Sequence, residues 1–428
     1  MTPPRSLWRH RGFRQLWAAE TVSQLGTQVT LVALPLLAVT LLDASAFQMG
    51  VLTSLETLAF LVVGLPAGAW VDRWRRKRVL VTGDLVRAVA IGSLPVAAAL
   101  DVLTLGQLYV VALVAGTATV FFDVGYQSYL PSLVERSQIV DGNSKLEASR
   151  AVAQVAGPGI TGVLIRVLGA PALIAVDAVS FLLSALLIGR IGTPDAVPDR
   201  AARRPLRTEI AEGLSFVVRH PLLRRMVACT GLANLAGSFT GALLVLYAVR
   251  GLGLSGSVVG LVFSAGAVGG LVGAVTAAPI ARLVGEGRTI PLSALACAAA
   301  GVTVPLASLG APVPLLLGGW FLESFAVIVY NVTQVSFRQR LCPPGLLGRM
   351  NASVRFIVFG TMPVGGFLGG VVGTWLGLVP ALWIAVSGAF LAAVPVLLSP
   401  LLGMRELPDE WDAGRVPGAD PVVPRPGG

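Results

Sequence analysis

Long apolar runs alternate with short polar or basic segments along this chain. A bilayer core is about 30 Å thick and takes roughly 20 apolar residues to cross as a helix. Runs of that length recur twelve times. The first half holds Gln15–Leu42, Gln48–Val71, Val79–Leu100, Leu105–Tyr126, Ala148–Leu168 and Ala172–Ile191. The second half holds Met226–Val249, Val258–Ala281, Thr289–Leu309, Val313–Ser336, Val354–Trp375 and Leu378–Leu402. In lipid each backbone polar group must find its partner inside the segment, so these runs read as helices. The expected fold class is an all-α membrane protein with twelve transmembrane helices.

The pattern divides the chain into four parts: residues 1–191, a first bundle of six helices; 192–223, a linker; 224–403, a second bundle of six; and 404–428, a tail. The linker carries prolines and arginines, and its part Thr208–Arg219 is expected to form a short amphipathic surface helix. The tail is rich in Pro, Gly and Asp and is expected to be disordered.

Composition agrees with the pattern. Of 428 residues, 55% are hydrophobic and only 13% charged, about half the charged share of an ordinary soluble domain. The net charge of +10 would suggest nucleic acid in a soluble protein. Here almost every Lys and Arg falls on one side of the expected membrane; Arg87, Arg166 and Arg250 are the exceptions. That asymmetry places both termini and the linker in the cytoplasm. No cleaved signal peptide is expected, because Arg5, Arg9, Arg11 and Arg14 lead directly into a run too long for an h-region. His10 and His220 lie in basic flanks and are expected to be solvated. Cys229, Cys297 and Cys342 are far apart, so neither a metal site nor a disulfide framework is expected.

The halves echo each other. Arg150 precedes Pro158 by eight residues, and Arg355 precedes Pro363 by eight, each at the start of the fifth helix of its half. Parallel repeats of this kind occur in secondary transporters. Glycines cluster in the eighth helix (Gly266, Gly269, Gly270, Gly273) and in the eleventh (Gly365, Gly366, Gly369, Gly370, Gly373). Small residues at such spacing let membrane helices pack closely, and moving interfaces are expected there.

Between the second and third helices lies Gly68-Ala69-Trp70-Val71-Asp72-Arg73-Trp74-Arg75-Arg76-Lys77-Arg78. It resembles the signature loop of the major facilitator superfamily, Gly-x-x-x-Asp-Arg-x-Gly-Arg-Arg. Gly68, Asp72, Arg73, Arg76 and Lys77 match, and Arg75 replaces the second glycine. The counterpart in the second half, near Ala281-Arg282, has no acid. Gly157-Pro158-Gly159-Ile160-Thr161-Gly162 resembles the exporter motif of the same superfamily, Gly-Pro-x-x-Gly-Gly, with Thr161 replacing a glycine. Phe121-Phe122-Asp123, Tyr129-Leu130-Pro131-Ser132-Leu133-Val134 and Asn143-Ser144-Lys145-Leu146 are similar to the branch of enterobactin-type siderophore exporters and macrolide-efflux proteins. So are Phe13-Arg14-Gln15-Leu16-Trp17 and Ser23-Gln24-Leu25-Gly26. The resemblance implies two bundles around a central cavity and a proton-coupled exporter of amphipathic organic molecules, monomeric in a bacterial cytoplasmic membrane. It also implies a gating role for the loop, with Asp72 facing the amino end of the eleventh helix. A nutrient importer of the same fold is the alternative, against which the Gly157-Pro158 motif speaks; a non-transporting receptor or scaffold is another.

Charges inside a membrane are expensive and mark candidate sites. Glu323 and Glu56 fall nearest mid-membrane; Glu20 and Asp123 lie near the basic ends of the first and fourth helices. These four are the proton or substrate candidates, with Glu323 first. Asp84 and Arg87 are three apart and are expected to pair structurally, and Asp177 is expected to be peripheral. There is no Gly-x-x-x-x-Gly-Lys-Ser/Thr loop and no convergent His, Asp or Glu cluster, so neither ATP drive nor an enzyme is expected. The implied partners are a small-molecule substrate, protons and the bilayer, with no cofactor and no nucleic acid. Reporter fusions after Arg78, Arg207 and Arg405 should all report from the cytoplasm; an external signal from any of them overturns this topology.

Overall fold

The structure is a computed structural model that describes residues 7–71, 74–135, 138–192, 206–342 and 347–405. Asp72 and Arg73, most of the linker and nearly all of the tail lie outside these residues. The described chain is helical: α1 Arg11–Thr40, α2 Ala46–Val62, α3 Gly64–Val71, α4 Arg76–Ala99, α5 Leu105–Leu133, α6 Ile139–Gly189, α7 Leu206–Arg219, α8 Pro221–Leu246, α9 Gly256–Val284, α10 Glu286–Gly301, α11 Thr303–Leu306, α12 Pro312–Leu341, α13 Leu347–Leu376 and α14 Leu378–Leu397. Ten helices are long and apolar enough to cross a membrane. One of these, α6, contains a chain reversal and adds a pass; α2 is shorter, is continued by α3, and adds another, giving twelve.

The reversal in α6 sits at Gly169, whose φ of 76° lies in the region that glycine adopts without strain. Contacts with α1 trace it. Trp17 Nε1 donates to Ser149 Oγ at 2.7 Å, and Gly157 packs on Gln28 higher up. Beyond Gly169 the chain descends: Thr30 Oγ1 donates to Asp177 at 2.5 Å, and Gln15 reaches the carbonyl of Arg190.

Helix starts follow local chemistry. Ser45 and Gln48 form a reciprocal capping box on α2, and proline occupies the first turn of α8 and α12. Both histidines cap helices, and His220 corrects the expectation of a solvated side chain. His10 Nδ1 accepts from Phe13 N at 3.0 Å and caps α1. His220 is buried, and its Nδ1 accepts from the N–H groups of Leu222 and Leu223 at the start of α8. Burial pushes its imidazole down to about 4, which keeps Nδ1 an acceptor at neutral pH. The expected amphipathic helix is α7, which packs on α8 and α13.

The packing differs between the two ends of the molecule. At the basic end, where α1 and α4 begin, each half has its own apolar core. One is built around Phe13, Leu16, Leu80, Tyr129 and Ile188, the other around Leu223, Met226, Phe337, Met350 and Val396. At the far end one continuous core joins the halves, with Leu36, Leu37 and Leu94 packed with Leu243, Tyr247 and Leu382.

Backbone contact makes that junction tight. A methyl group added at Gly50 would lie 2.5 Å from Gly370 Cα, and one at Gly260 would lie 2.5 Å from Gly162 Cα. The proline-bearing fifth helix of each half thus crosses the second helix of the other, and Ser54 Oγ donates to the Pro363 carbonyl at 2.8 Å. The glycine run of the eighth helix behaves otherwise: Gly266, Gly269 and Gly273 seat α9 on α12 inside one half. Arg250 bonds Asp43 at 2.5 Å and the Val39 carbonyl at 3.0 Å across the far end.

Inside the first half, Asp84 and Arg87 pair at 2.5 Å, both buried. The guanidinium lies 4.2 Å from the Phe122 ring centroid and 4.3 Å from that of Phe181. Cation–π contact of this kind replaces part of the lost hydration.

Three outcomes follow. Asp43 is almost fully exposed, so its ion pair is worth at most about 1 kcal/mol. Asp43→Asn should change the population of the joined far end by no more than roughly fivefold. Gly260→Val should force the halves apart and lengthen distances between labels placed across the far end; unchanged distances overturn the idea that these crossings hold the junction. Arg87→Met leaves a buried acid without its partner and should destabilise the chain by on the order of 3 kcal/mol, with much of the loss recovered in Arg87→Met/Asp84→Asn. Thermal unfolding in detergent measures both, and equal losses in the single and double variants would contradict the pairing.

Candidate functional site

Between the halves lies a cavity of about 440 Å³. Its wall from the first half comes mainly from α2, which contributes Thr53, Glu56 and Thr57. The second half supplies Thr230 and Asn234 from α8, Cys297 from α10, and Glu323, Tyr330 and Asn331 from α12. The helical repeat explains these sets. Residues 53, 56 and 57 share one face of α2, 230 and 234 one face of α8, and 323, 330 and 331 one face of α12. Glu56 stands ten residues into α2 and Glu323 eleven into α12. At 1.5 Å per residue both lie roughly 15 Å from the far end, about half the thickness of a hydrocarbon core. The two carboxyls therefore share one mid-depth cavity, one from each half.

Hydrogen bonds hold the polar wall. Tyr330 and Thr230 share a hydroxyl–hydroxyl bond of 2.9 Å, and Tyr330 also reaches the Met226 carbonyl. Asn234 donates to the Val358 carbonyl at 3.1 Å, which ties α8 to α13 below Pro363. No Lys, Arg or His lies among the described residues that line the cavity. Such a wall offers acidic groups and neutral donors and acceptors, and no counter-charge for an anion.

Glu20 and Asp123 stand apart from this cavity. Glu20 is buried in the first half, accepts from Gln24 at 2.7 Å and has Asp123, Arg87 and Arg150 as charged neighbours. Asp123 in turn lies within range of Arg150 and of Arg355, the two arginines that recur eight residues before the prolines. Asp177 is buried between α1 and the returning part of α6, bonded by Thr30 and Ser180, and does not line the cavity.

The loop candidates separate. Gly68 ends within α3, and Lys77 donates to the Ile191 carbonyl at 2.6 Å, closing the end of the sixth pass. Arg76 is half-buried in the first turn of α4; Asp72 and Arg73 fall outside the described residues. In the exporter motif, Gly157 meets α1, and Gly162 meets Gly260 of the other half. Thr161 is buried and returns its hydroxyl to the Gly157 carbonyl at 2.8 Å.

Sequence reasoning had not singled out Thr53, Thr230, Asn234, Cys297 or Tyr330 as cavity residues. The available signal was the helical spacing of polar residues within apolar runs, Thr230 to Asn234 above all. It is weak, because Thr and Cys also sit comfortably in packed membrane helices.

Comparison with known proteins agrees with this architecture. The model of the Major Facilitator Superfamily matches residues 16–360. The multidrug efflux pump Tap of Mycolicibacterium fortuitum is 28% identical over 88% of this chain and 94% of its own. The enterobactin exporter EntS of Citrobacter koseri is 26% identical over 92% of each chain. Among solved structures, a bacterial homologue of the iron transporter ferroportin in an inward-facing state superposes with a TM-score of 0.74 at 18% identity, covering 92% of this chain and 99% of that one. The nucleoside transporter NupG superposes with a TM-score of 0.75 at 13% identity, covering 90% of this chain and 99% of that one. Twelve passes, paired halves and a family match across most of the length lead to one conclusion: the chain is a transporter that belongs to the Major Facilitator Superfamily.

Proposed function

We propose that this transporter is a proton-coupled exporter of amphipathic organic molecules in a bacterial cytoplasmic membrane, with its basic end in the cytoplasm. The observation that carries this reading is the mid-depth cavity with Glu56 on one half and Glu323 on the other. Its volume lies in the ordinary range for small-molecule sites. The exporter-like Gly157-Pro158 motif and the efflux relatives support the outward direction. The separate cores at the basic end support access from the cytoplasm in this state.

The cycle follows from the chemistry of a carboxyl in a cavity that opens alternately. A carboxylate facing the cytoplasm binds a basic or neutral amphiphile. Rocking of the halves carries it outward, where protonation of the acid releases it. The protonated acid returns without net charge and gives its proton to the cytoplasm. Charge composition chooses among substrates. Two acids, with no cation among the described lining residues, favour a basic or neutral compound, in keeping with a multidrug relative, over an anionic siderophore. Glu323 is assigned the coupling role, with Glu56 as its counterpart across the cavity. Asp72, which lies outside the described residues, is assigned the loop's latch for the outward-open state on the amino end of α13, worth on the order of 1 kcal/mol through the helix dipole.

Energised vesicles test the assignment. Glu323→Gln should reduce gradient-driven efflux of a lipophilic cation at least tenfold while downhill exchange continues, since a neutral amide keeps the shape but cannot carry a proton. Glu56→Gln and Asp123→Asn are measured beside it. Pumping by Glu323→Gln against a gradient at the unmodified rate removes Glu323 from the coupling role.

A further inference from the structure

A second recess, of about 800 Å³, lies away from the cavity between α4 and α5. Helix α4 packs on α5 and α6 of its own half, at the rim of the bundle. The walls of the recess are mainly apolar where they cross the membrane, with Thr82 and Thr117 among them, Thr117 returning its hydroxyl to the Leu113 carbonyl, and Val86, Leu113 and Val114 are each more than a third exposed there. At the basic end it is closed by Trp74, Arg75 and Arg78.

Length ties the recess to one leaflet. From Arg75 to Val86 α4 rises eleven residues, and from Leu113 to Phe121 α5 rises eight. At 1.5 Å per residue these are roughly 16 Å and 12 Å, close to half of a core about 30 Å thick. The recess therefore has the reach of an acyl chain entering from the basic side, with cations where the headgroup would sit.

The cations of this loop are sorted by direction. Lys77 is committed to the Ile191 carbonyl, whereas Arg75 and Arg78 are exposed and border the recess. They stand three residues apart at the start of α4, whose first turn receives no side-chain cap from Arg75. Guanidinium groups bind phosphate oxygens with two parallel bonds, and the positive end of the helix dipole adds to them. Trp74, at the same level, suits the membrane interface. We propose that this recess is a binding site for an anionic phospholipid of the leaflet at the basic end, its phosphate on Arg75 and Arg78 and one acyl chain along Val86 and Val114.

The occupant would brace the signature loop. Phe121 forms the end wall and lies 5.9 Å from Trp74 and 6.0 Å from Trp70, centroid to centroid, so it touches aromatic rings on both sides of the loop. A lipid seated here fixes the residues that flank Asp72 and Arg73. The site does not depend on what the transporter carries.

Native mass spectrometry of the full chain released from nanodiscs tests it, with phosphatidylglycerol and phosphatidylcholine of identical acyl chains as probes. Two cations beside one anionic headgroup predict retention of phosphatidylglycerol over phosphatidylcholine by on the order of ten- to thirtyfold. Arg75→Gln/Arg78→Gln should bring the two lipids to near parity. Val114→Trp, which fills the recess and keeps the charges, should reduce retention of both. Arg282→Gln, in the last turn of α9 at the matching position of the second half, should leave the preference intact. The proposal is overturned by equal retention of the two lipids in the unmodified chain, by a preference that survives in the double arginine variant, or by an equal loss in Arg282→Gln. Unchanged retention in Val114→Trp overturns it independently, should the arginine variant fail to fold.

Discussion

The architecture depends on two places where the halves touch through backbone alone. At Gly50–Gly370 and Gly162–Gly260 no side chain separates the helices, so the far end behaves as one apolar body. Hydrocarbon gives helices no hydrophobic reason to associate, and close packing must supply the attraction instead. Dispersion forces fade steeply with distance, so a junction of this kind is either in contact or open, with little between. The basic end has no such crossing among its core residues, and each half keeps a core of its own there. The proline-bearing helices take part in both crossings and also run the full depth of the molecule. In the proposed cycle they are the levers by which closure at one end becomes opening at the other.

The cavity is placed where that motion matters most. Glu56 and Glu323 sit at similar depth on helices of different halves, below the far-end junction. Each lies in a wall otherwise made of hydroxyl, amide, thiol and aliphatic groups. Moving the halves therefore changes the solvent seen by both acids without moving either relative to its own helix. The first half carries a separate set of charges, with Arg87 held between two aromatic rings and paired with Asp84. That arrangement fixes α4 against α5 and α6, and it keeps one buried cation near Glu20 and Asp123.

Much of this was legible in the amino-acid order because the bilayer sets a length. Counting residues from a helix start placed Glu323 at mid-depth, and the eight-residue spacing of Arg150–Pro158 and Arg355–Pro363 exposed the duplicated halves. The Asp84–Arg87 pair followed from three-residue spacing alone. What was not legible depends on contacts between distant segments. His220 looked solvated from its basic neighbours, yet its place ahead of Pro221 made it a buried cap. Thr230 and Asn234 became cavity residues only through the rotation of α8 against α12. The glycines of α9 promised a moving interface, and three of them proved to be seats for Trp320, Phe321 and Phe325. Nothing in a list of glycines tells which neighbour each one meets.

The reversal at Gly169 has a consequence for how other molecules meet this protein. It joins two passes through a single residue, and Gly377 does the same between α13 and α14. The links at 41–45, 100–104 and 252–255 are no longer than five residues. The far face is accordingly a hard, almost loopless cap. Among the described residues, a protease that cuts after arginine finds there only Arg166, inside a helix, and Arg250, tied to Asp43. An antibody finds no segment long enough to lift away and grasp. Recognition by macromolecules is thereby pushed to the opposite face, and the far face is left to small molecules passing through.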